Sequence, residues 1–542
     1  MTPPEVFLRK TSGVVRALSP FDSAFYGFLT VSGIGVITWL MLPGLAFFPG
    51  ANLYLVMILL LVFMSIRWVA YAMMVSSMPR SGGDYVFQSR LLRGDIGWAF
   101  TWGGIGFWQL WWNYIVANTI AIGVLSPMFE FLGHATNNPS MINAGIALLD
   151  PITAAVFSIV VVWLCTWVMV TGMRGYVTIQ RYILIPLTLV SFVILAGIFL
   201  VVPRETFMTN FTSFQNIFGQ VNPDWYHAII DQAKELGADL SPPFSWYDTF
   251  GLFVLLYGMM QNIQYSMELI GEMKGVESFK TAWGIMFGAA ALLVGSVTIG
   301  MAWGADYLGM EFIRAYGYVA NVDPSSLAGF TWRGVYGLFT VITLNVPIGI
   351  ILGLGWIACF IQYEFNGAFG AARFIFAASF DRILPSWMGS VNKRGAPVKT
   401  YIFFAVVSSV IAIVCTGYGE VLGLINLAFL AGQVTYILTM VSAIVFPWRA
   451  KKLWEASPGS KYKIGKMPVI VIAALFGLIM DFIVIAYYFT NPFYGVLTSA
   501  LPAQLFPIII IVGCFVWFYG ARWYRNREGI NIELAFKEVP PA

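Results

Sequence analysis

The sequence predicts an all-α integral membrane protein of twelve transmembrane helices. A deficit of charge and the length of the apolar runs predict it. Of 542 residues, 59% are hydrophobic, 17% aromatic and only 10% charged. Soluble domains carry about 25% charged residues, and so few charges cannot cover a water-facing surface. The apolar residues also fall in long runs, at 52–66, 151–173, 182–202, 282–305, 401–416, 468–490 and 503–520. A helix needs about 20 such residues to cross hydrocarbon, at about 1.5 Å each. One run alone could be the core helix of a bundle, but the whole set could not.

Spans are placed at 22–48, 52–78, 97–127, 151–171, 182–202, 246–270, 282–305, 335–375, 399–416, 420–447, 468–490 and 503–520. The eighth is longer than one perpendicular span and contains Pro347. It reads either as a tilted helix or as a short outer helix feeding a span. The N-terminus holds Glu5, Arg9, Lys10 and Arg16, and the apolar stretch Phe21 to Phe48 is too long for a cleavable signal.

Charge sets orientation. With a cytoplasmic N-terminus, the inner connections hold Arg80, Arg90, Arg93, Arg373, Arg382, Arg449, Lys451 and Lys452, and the tail adds Arg522, Arg525 and Arg527. Only Arg204, Lys234, Arg314 and Arg333 fall on outer connections, while Arg67 lies within a span. Both termini are therefore expected in the cytoplasm of a multi-pass cell-membrane protein. The basic loops face anionic lipid headgroups, and a net charge of +4 spread over short loops gives no sign of nucleic-acid binding.

Cys165, Cys359, Cys415 and Cys514 sit in or near apolar spans and read as buried thiols. His134 and His227 are far apart, so neither a metal site nor a cofactor is expected. No nucleophile–base pair and no nucleotide-binding loop is visible, which speaks against an enzyme and against ATP-driven transport. Exposed apolar surface is mandatory in lipid and does not mark a subunit interface, so the oligomeric state is not legible.

The chain divides into a cytoplasmic segment 1–21, five spans in 22–202, an extracellular connection 203–245, five more spans in 246–447, a cytoplasmic loop 448–467, two further helices in 468–520 and a cytoplasmic tail 521–542. Because five is odd, the two halves must sit inverted in the bilayer. Inverted repeats with broken first helices are a recurring transporter architecture. In the outer connection, Asn222-Pro223 is expected to open a short surface helix over 223–237. It carries Asp224, Asp231 and Glu235. With the polar connection 306–333 it forms either a lid over an outer vestibule or a solvated cap.

Each half opens with an interrupted span. The first contains Thr30, Val31, Ser32, Gly33, Ile34 and Gly35 near its midpoint. Two glycines so close weaken a helix, although glycines also serve as close-packing faces in membranes. The sixth contains Tyr257, Gly258, Gln261, Asn262 and Gln264. Three carboxamides within four residues are costly in hydrocarbon unless they face protein, water or ligand. Two such breaks at mid-membrane depth suit a neutral or zwitterionic solute: half-helix N-termini offer amides to a carboxylate, and C-termini offer carbonyls to an ammonium group.

Asp22 reads as an N-cap. Arg67 is a gate, a structural clamp or a side chain reaching the interface. Glu268 either faces the route or caps the bundle near Lys274. Glu364, Glu420 and Asp481 are candidate acid partners or proton carriers. In the third span, Phe107, Trp108 and Trp111 lie near the middle and either shape a pocket wall or fill the core.

Three fragments resemble the amino acid–polyamine–organocation superfamily of permeases. They are Ser32-Gly33-Ile34, then Pro79-Arg80-Ser81-Gly82-Gly83-Asp84-Tyr85 with Gly97-Trp98, and Arg373-Phe374-Ile375-Phe376-Ala377 with Asp381-Arg382-Ile383-Leu384-Pro385 and Ala396-Pro397. The resemblance covers roughly residues 15–520. It implies a LeuT-like five-plus-five inverted-repeat transporter core with two peripheral helices and alternating access. It implies that an amino acid or related amine meets amides around Gly33, Ile34 and Gly35, with its amine near Thr30 and residues Tyr257–Gln261. Bulky residues of the third, sixth and eighth spans would occlude it.

Two departures stand out. The sixth span has the Gln261–Asn262–Gln264 cluster in place of small residues, and Glu364 could meet a cationic group. The lysine of some proton-coupled members has no counterpart between Gln180 and Leu187, and the hydroxyls of sodium-coupled members have none from Leu344 through Ala378. The coupling ion, proton or sodium, therefore stays open, as do exchange and uniport. A channel or a sensor-like membrane protein ranks below these readings.

Overall fold

A computed structural model describes residues 16–219, 221–324, 334–418, 421, 424 and 427–537. Glu5, Arg9, Lys10, Arg333 and Glu420 lie outside the described residues. Among the described residues, 11 helices are long and apolar enough to cross a membrane. The first is interrupted, with α1 over Pro20–Val31 and α2 over Gly33–Phe47. Next come α3 (Leu53–Ser77), the short α4 (Gly83–Leu91) and α5 (Gly94–Ala135). Then follow α6 (Pro151–Val170), α7 (Met173–Val201), the surface helix α8 (Trp225–Glu235) and α9 (Trp246–Met260). The rest are α10 (Phe279–Leu308), α11 (Val346–Phe380), α12 (Val398–Gly417), α13 (Ala428–Arg449), α14 (Val469–Thr490) and α15 (Leu501–Arg527).

The expected sixth span does not qualify as a spanning helix by itself. Its α-helical part, α9, has 15 residues and passes into a 3₁₀ helix over Gln261–Glu272. The expected eighth span resolves in favour of the two-helix reading: Gly334–Val341 precedes α11, whose first turn carries Pro347. Proline is tolerated there because a first-turn amide has no helical acceptor. Asn345 caps α11 by accepting from Ile348 N–H at 3.1 Å. The third span runs longer than 97–127, because α5 covers 42 residues and contains π-helical turns at Trp102–Gly106 and Ile120–Leu125.

Ser19, rather than Asp22, is the N-cap of α1. Its hydroxyl accepts from Asp22 N–H, while the Asp22 carboxylate accepts from Ser19 N–H at 3.0 Å, a capping box. Asp22 also pairs with Arg181 of α7 at 2.6 Å.

Contacts between elements sort the charges into two ends. At one, Leu18 N–H bonds Glu272 O at 3.0 Å, Arg90 holds Asp381, and Arg449 donates to Leu92 O at 2.8 Å. At the other, Gly50 N–H meets Asp248, Arg204 donates to Tyr307 O, and Arg314 donates to Leu240 O.

At the less basic end, α8 forms as expected, with Asp224 capping His227 N–H at 3.1 Å. Partial burial works to raise the Asp224 carboxyl, but hydrogen bonds from the His227 amide and ring outweigh it and hold it below the usual range. Tyr226 stacks on Phe312 of the helix Met310–Val322 at 4.4 Å. That helix lies hard against α2: a Cβ on Gly317 would be 2.5 Å from Leu42 O. Helix α8 and the helix Met310–Val322 therefore form a packed cap over α2. At the centre, α11 buries Trp356, Cys359, Phe360 and Phe369, whereas α15 exposes Ile508, Ile509, Val512 and Val516, as a lipid-facing helix should.

Candidate functional site

The first interruption is a single residue. Ser32 adopts φ 58°, ψ 115°, a left-handed region that non-glycine residues avoid. Its hydroxyl answers part of the break, accepting from Gly35 N–H at 2.9 Å and donating to Cys359 Sγ of α11 at 2.9 Å. The Thr30 hydroxyl returns to Tyr26 O of its own helix. The two glycines differ. A Cβ on Gly33 would lie 2.0 Å from Ser296 Oγ of α10, so Gly33 is a close-approach position. A Cβ on Gly35 would meet Trp39 at 3.2 Å and Met259 at 3.6 Å. Gly35 thus faces α9.

The second interruption sends its carboxamides in two directions. Tyr257, Gln261 and Gln264 turn away from α2. Gln261 donates to Gln433 Oε1 of α13 at 2.6 Å, and Tyr71 of α3 donates to Gln264 Oε1 at 2.7 Å. Tyr257 accepts from Arg67 at 2.9 Å. Gly258 serves packing, since a Cβ there would stand 2.2 Å from the Tyr488 hydroxyl of α14. Asn262 is half-buried, as are Met259 and Tyr265. Its side chain accepts from the Tyr436 hydroxyl. Of the cluster singled out in sequence, only Asn262 lies on the half-buried face.

An aromatic wall stands beside Gly35 and Met259. Trp39 of α2 meets Trp112 of α5 and both Phe360 and Tyr363 of α11, with ring centroids 5.9, 5.3 and 6.0 Å away. Around Gly367 of α11 lie Asn113 Oδ1 and Gln109 Oε1, within 2.6 and 2.8 Å of where a Cβ would be. Of the two readings of Phe107, Trp108 and Trp111, the packing favours core filling over a pocket wall. All three pack on Phe506 of α15, at 6.2, 5.8 and 6.2 Å. The π-helical turn just before them adds a residue to the turn and rotates all later side chains, which brings Trp112 to the site instead. Trp39 escaped sequence reasoning too; its position one turn beyond Gly35 was the available signal.

Among the described residues, the charged candidates Arg67, Glu268, Glu364 and Asp481 are buried. Arg67 does not reach the interface. It forms an ion pair with Asp481 of α14 and lies 5.9 and 5.6 Å from the Tyr71 and Tyr436 ring centroids. Gln433 also donates to Asp481, at 2.8 Å, so α3, α9, α13 and α14 are joined through this clamp. Glu268 is nowhere paired with Lys274. It points between Gly83 and Gly370. Glu364 is buried on α11 and interacts with Cys165 of α6, away from Gly35. In the described residues no group of three or more His, Cys, Asp or Glu could hold a metal ion.

Two of the three sequence fragments that resemble a permease superfamily, those around Gly82 and Arg373, take part in the contacts of the basic end. Arg373 pairs with Glu272 and donates to the Tyr401 hydroxyl at 3.0 Å. Arg90 grips Asp381 with two bonds of 2.6 and 2.7 Å, and Tyr85 donates to the same carboxylate. Gly82 has φ 100°, and a Cβ there would be 2.7 Å from Ala377 Cβ; only glycine suits both the backbone and the gap.

A search of curated proteins finds no match to this chain. The family model described as amino acid permease matches residues 18–516, a stretch that includes both interruptions, the aromatic wall and the latches of the basic end. The chain therefore belongs to the amino acid permease family of the amino acid–polyamine–organocation superfamily, a family of membrane transporters for amino acids or amines and not of enzymes, and it is a multi-pass membrane protein.

Proposed function

We propose that the protein is a secondary transporter that moves an amino acid or related amine by alternating access, holding it between the break at Ser32 and the half-buried face of Met259, Asn262 and Tyr265. One observation carries this reading. A left-handed Ser32 opens one helix beside the place where a second helix changes from α to 3₁₀, in the interior of an apolar bundle. Irregular backbone at that depth is tolerated only beside a cavity or a polar partner. The start of α2 offers amides to a carboxylate. Trp39, Trp112 and Tyr363 offer apolar faces to a side chain and π faces to a cation.

The architecture is read as a five-plus-five inverted-repeat core, 22–202 and 246–447, with α14 and α15 at the periphery. Two facts support it. At about 2.0 Å per residue, the 3₁₀ helix adds the length that α9 lacks, which makes a twelfth span. The two interrupted segments also lie together: Leu18 and Met273 form a parallel bridge, and a Cβ on Gly27 would be 3.4 Å from Ser266 Oγ. The basic end is read as cytoplasmic.

Purified protein in liposomes should show saturable, stereoselective uptake of radiolabelled amino acids or polyamines, with competition among related solutes. Flux that rises linearly with concentration and ignores competitors would overturn this function.

A further inference from the structure

We infer that Asp84 and Glu268 form a proton-binding site, two buried carboxyl groups that share one proton, and that this proton is the ion coupled to transport. The coupling half of the inference rests on the permease reading above. The site itself rests on what surrounds the two side chains.

Glu268 lies on the 3₁₀ helix and is fully buried, and among the described residues its carboxyl oxygens meet no polar group other than Asp84. It occupies a slot kept open by glycine on two sides. A Cβ on Gly83 would be 3.0 Å from each of its oxygens, and one on Gly370 would be 3.8 Å from its Cγ. Beside it is Asp84, also fully buried, on the first turn of α4. Asp84 Oδ1 accepts from Thr439 at 2.6 Å and lies 3.1 Å from the Tyr71 hydroxyl, while its Oδ2 has no partner. Tyr71 has only one proton to give, and Gln264 Oε1 is nearer, at 2.7 Å. The Gln264 amide nitrogen is itself buried without a partner.

Among the described residues, no cation is hydrogen-bonded to either carboxyl. Arg67 attracts Asp84 only from a distance, since its ion pair is with Asp481, and Arg373 pairs with Glu272. The other titratable groups nearby are the phenols Tyr71, Tyr265 and Tyr436. Two carboxylates side by side in a low-dielectric interior cannot both stay ionised while they are shut off from water. A single proton removes one charge and supplies the missing donor for an orphaned oxygen. The negative charge that is left faces the opening turn of α4, where backbone amides favour one anion but not two.

The location gives this proton mechanical leverage. Gly82 N–H bonds Glu268 O at 2.9 Å, so the pair sits on the seam between α4 and the 3₁₀ part of the second interrupted helix. When the proton leaves for water at the basic end, two like charges face each other across that seam and favour its opening. When a proton returns, the shared hydrogen bond closes it.

Infrared difference spectra of the purified protein in lipid nanodiscs, recorded across a pH titration, test the site without any substrate. The expected result is one protonated-carboxyl C=O band that titrates, and that is lost in both Glu268→Gln and Asp84→Asn. These replacements keep side-chain shape and leave a single carboxyl with no partner to share. A band that survives in both variants overturns the inference. So does a band in the native protein that sodium chloride abolishes at constant pH, which would mark a sodium site. Uptake of a radiolabelled amino acid mixture into liposomes forms the second arm. Accumulation driven by an imposed proton gradient should fall more than tenfold in Glu268→Gln, and full retention would refute the coupling role. If no amino acid is taken up at all, the permease reading fails while the infrared result still decides the proton site.

Discussion

Replacing Arg67 with methionine should destabilise the folded protein by about 3–5 kcal/mol, the usual cost of stranding one partner of a buried ion pair. The guanidinium is fully buried, and its loss leaves the Asp481 carboxylate inside the bundle with only Gln433 as a donor. Tyr257 loses a hydrogen-bond donor at the same time. The cost arises from desolvation and not from the attraction itself, so removing both charges should be far milder. The double replacement Arg67→Met with Asp481→Leu is expected to recover most of the lost stability. Apparent unfolding temperatures of the single and double variants in lipid nanodiscs measure this. Equal melting of native protein and Arg67→Met would show that the clamp holds nothing.

The second large effect separates the two glycines of the first break. Gly33→Val should lose both stability and uptake, because no Cβ fits 2.0 Å from Ser296 Oγ unless α2 moves from α10. Overpacking of this kind costs about 1–3 kcal/mol. Trimming the obstacle with Ser296→Gly should rescue Gly33→Ala in thermal melts. Gly35→Val meets only ordinary or slightly tight neighbours, so it should melt close to the native protein. It crowds the space between Trp39 and Met259, and half-saturating substrate concentration should rise about tenfold or more, equivalent to about 1.4 kcal/mol. If Gly35→Val transports normally, the break at Ser32 is a packing feature and not a binding one.

The all-helical, multi-span character and the places where helices fail were legible because they depend on composition and on single residues. Charge-free runs, glycine pairs and clustered carboxamides carry their meaning locally. The break came out at Ser32, within the stretch expected, and the softening of the second helix begins at Gln261. The directions of side chains beyond these points were not legible. A 3₁₀ helix turns in 3.0 residues instead of 3.6, so each residue after Gln261 drifts from the face that an α-helical count assigns. The π-helical turn before Phe107 has the opposite effect on α5. Phase errors of this kind put Gln264 against Tyr71 and Trp108 against Phe506. The Arg67–Asp481 pair was invisible for a different reason, because 414 positions separate its members.

That same pair has an electrical consequence. An elementary charge crossing the full transmembrane voltage exchanges about 2.3 kcal/mol per 100 mV. Arg67 and Arg373, both buried in the bundle, each travel with a carboxylate, so their displacement moves no net charge through that field. Voltage therefore finds its handle in whatever charge the cargo and the exchangeable proton bring with them, and not in the helices that carry these arginines.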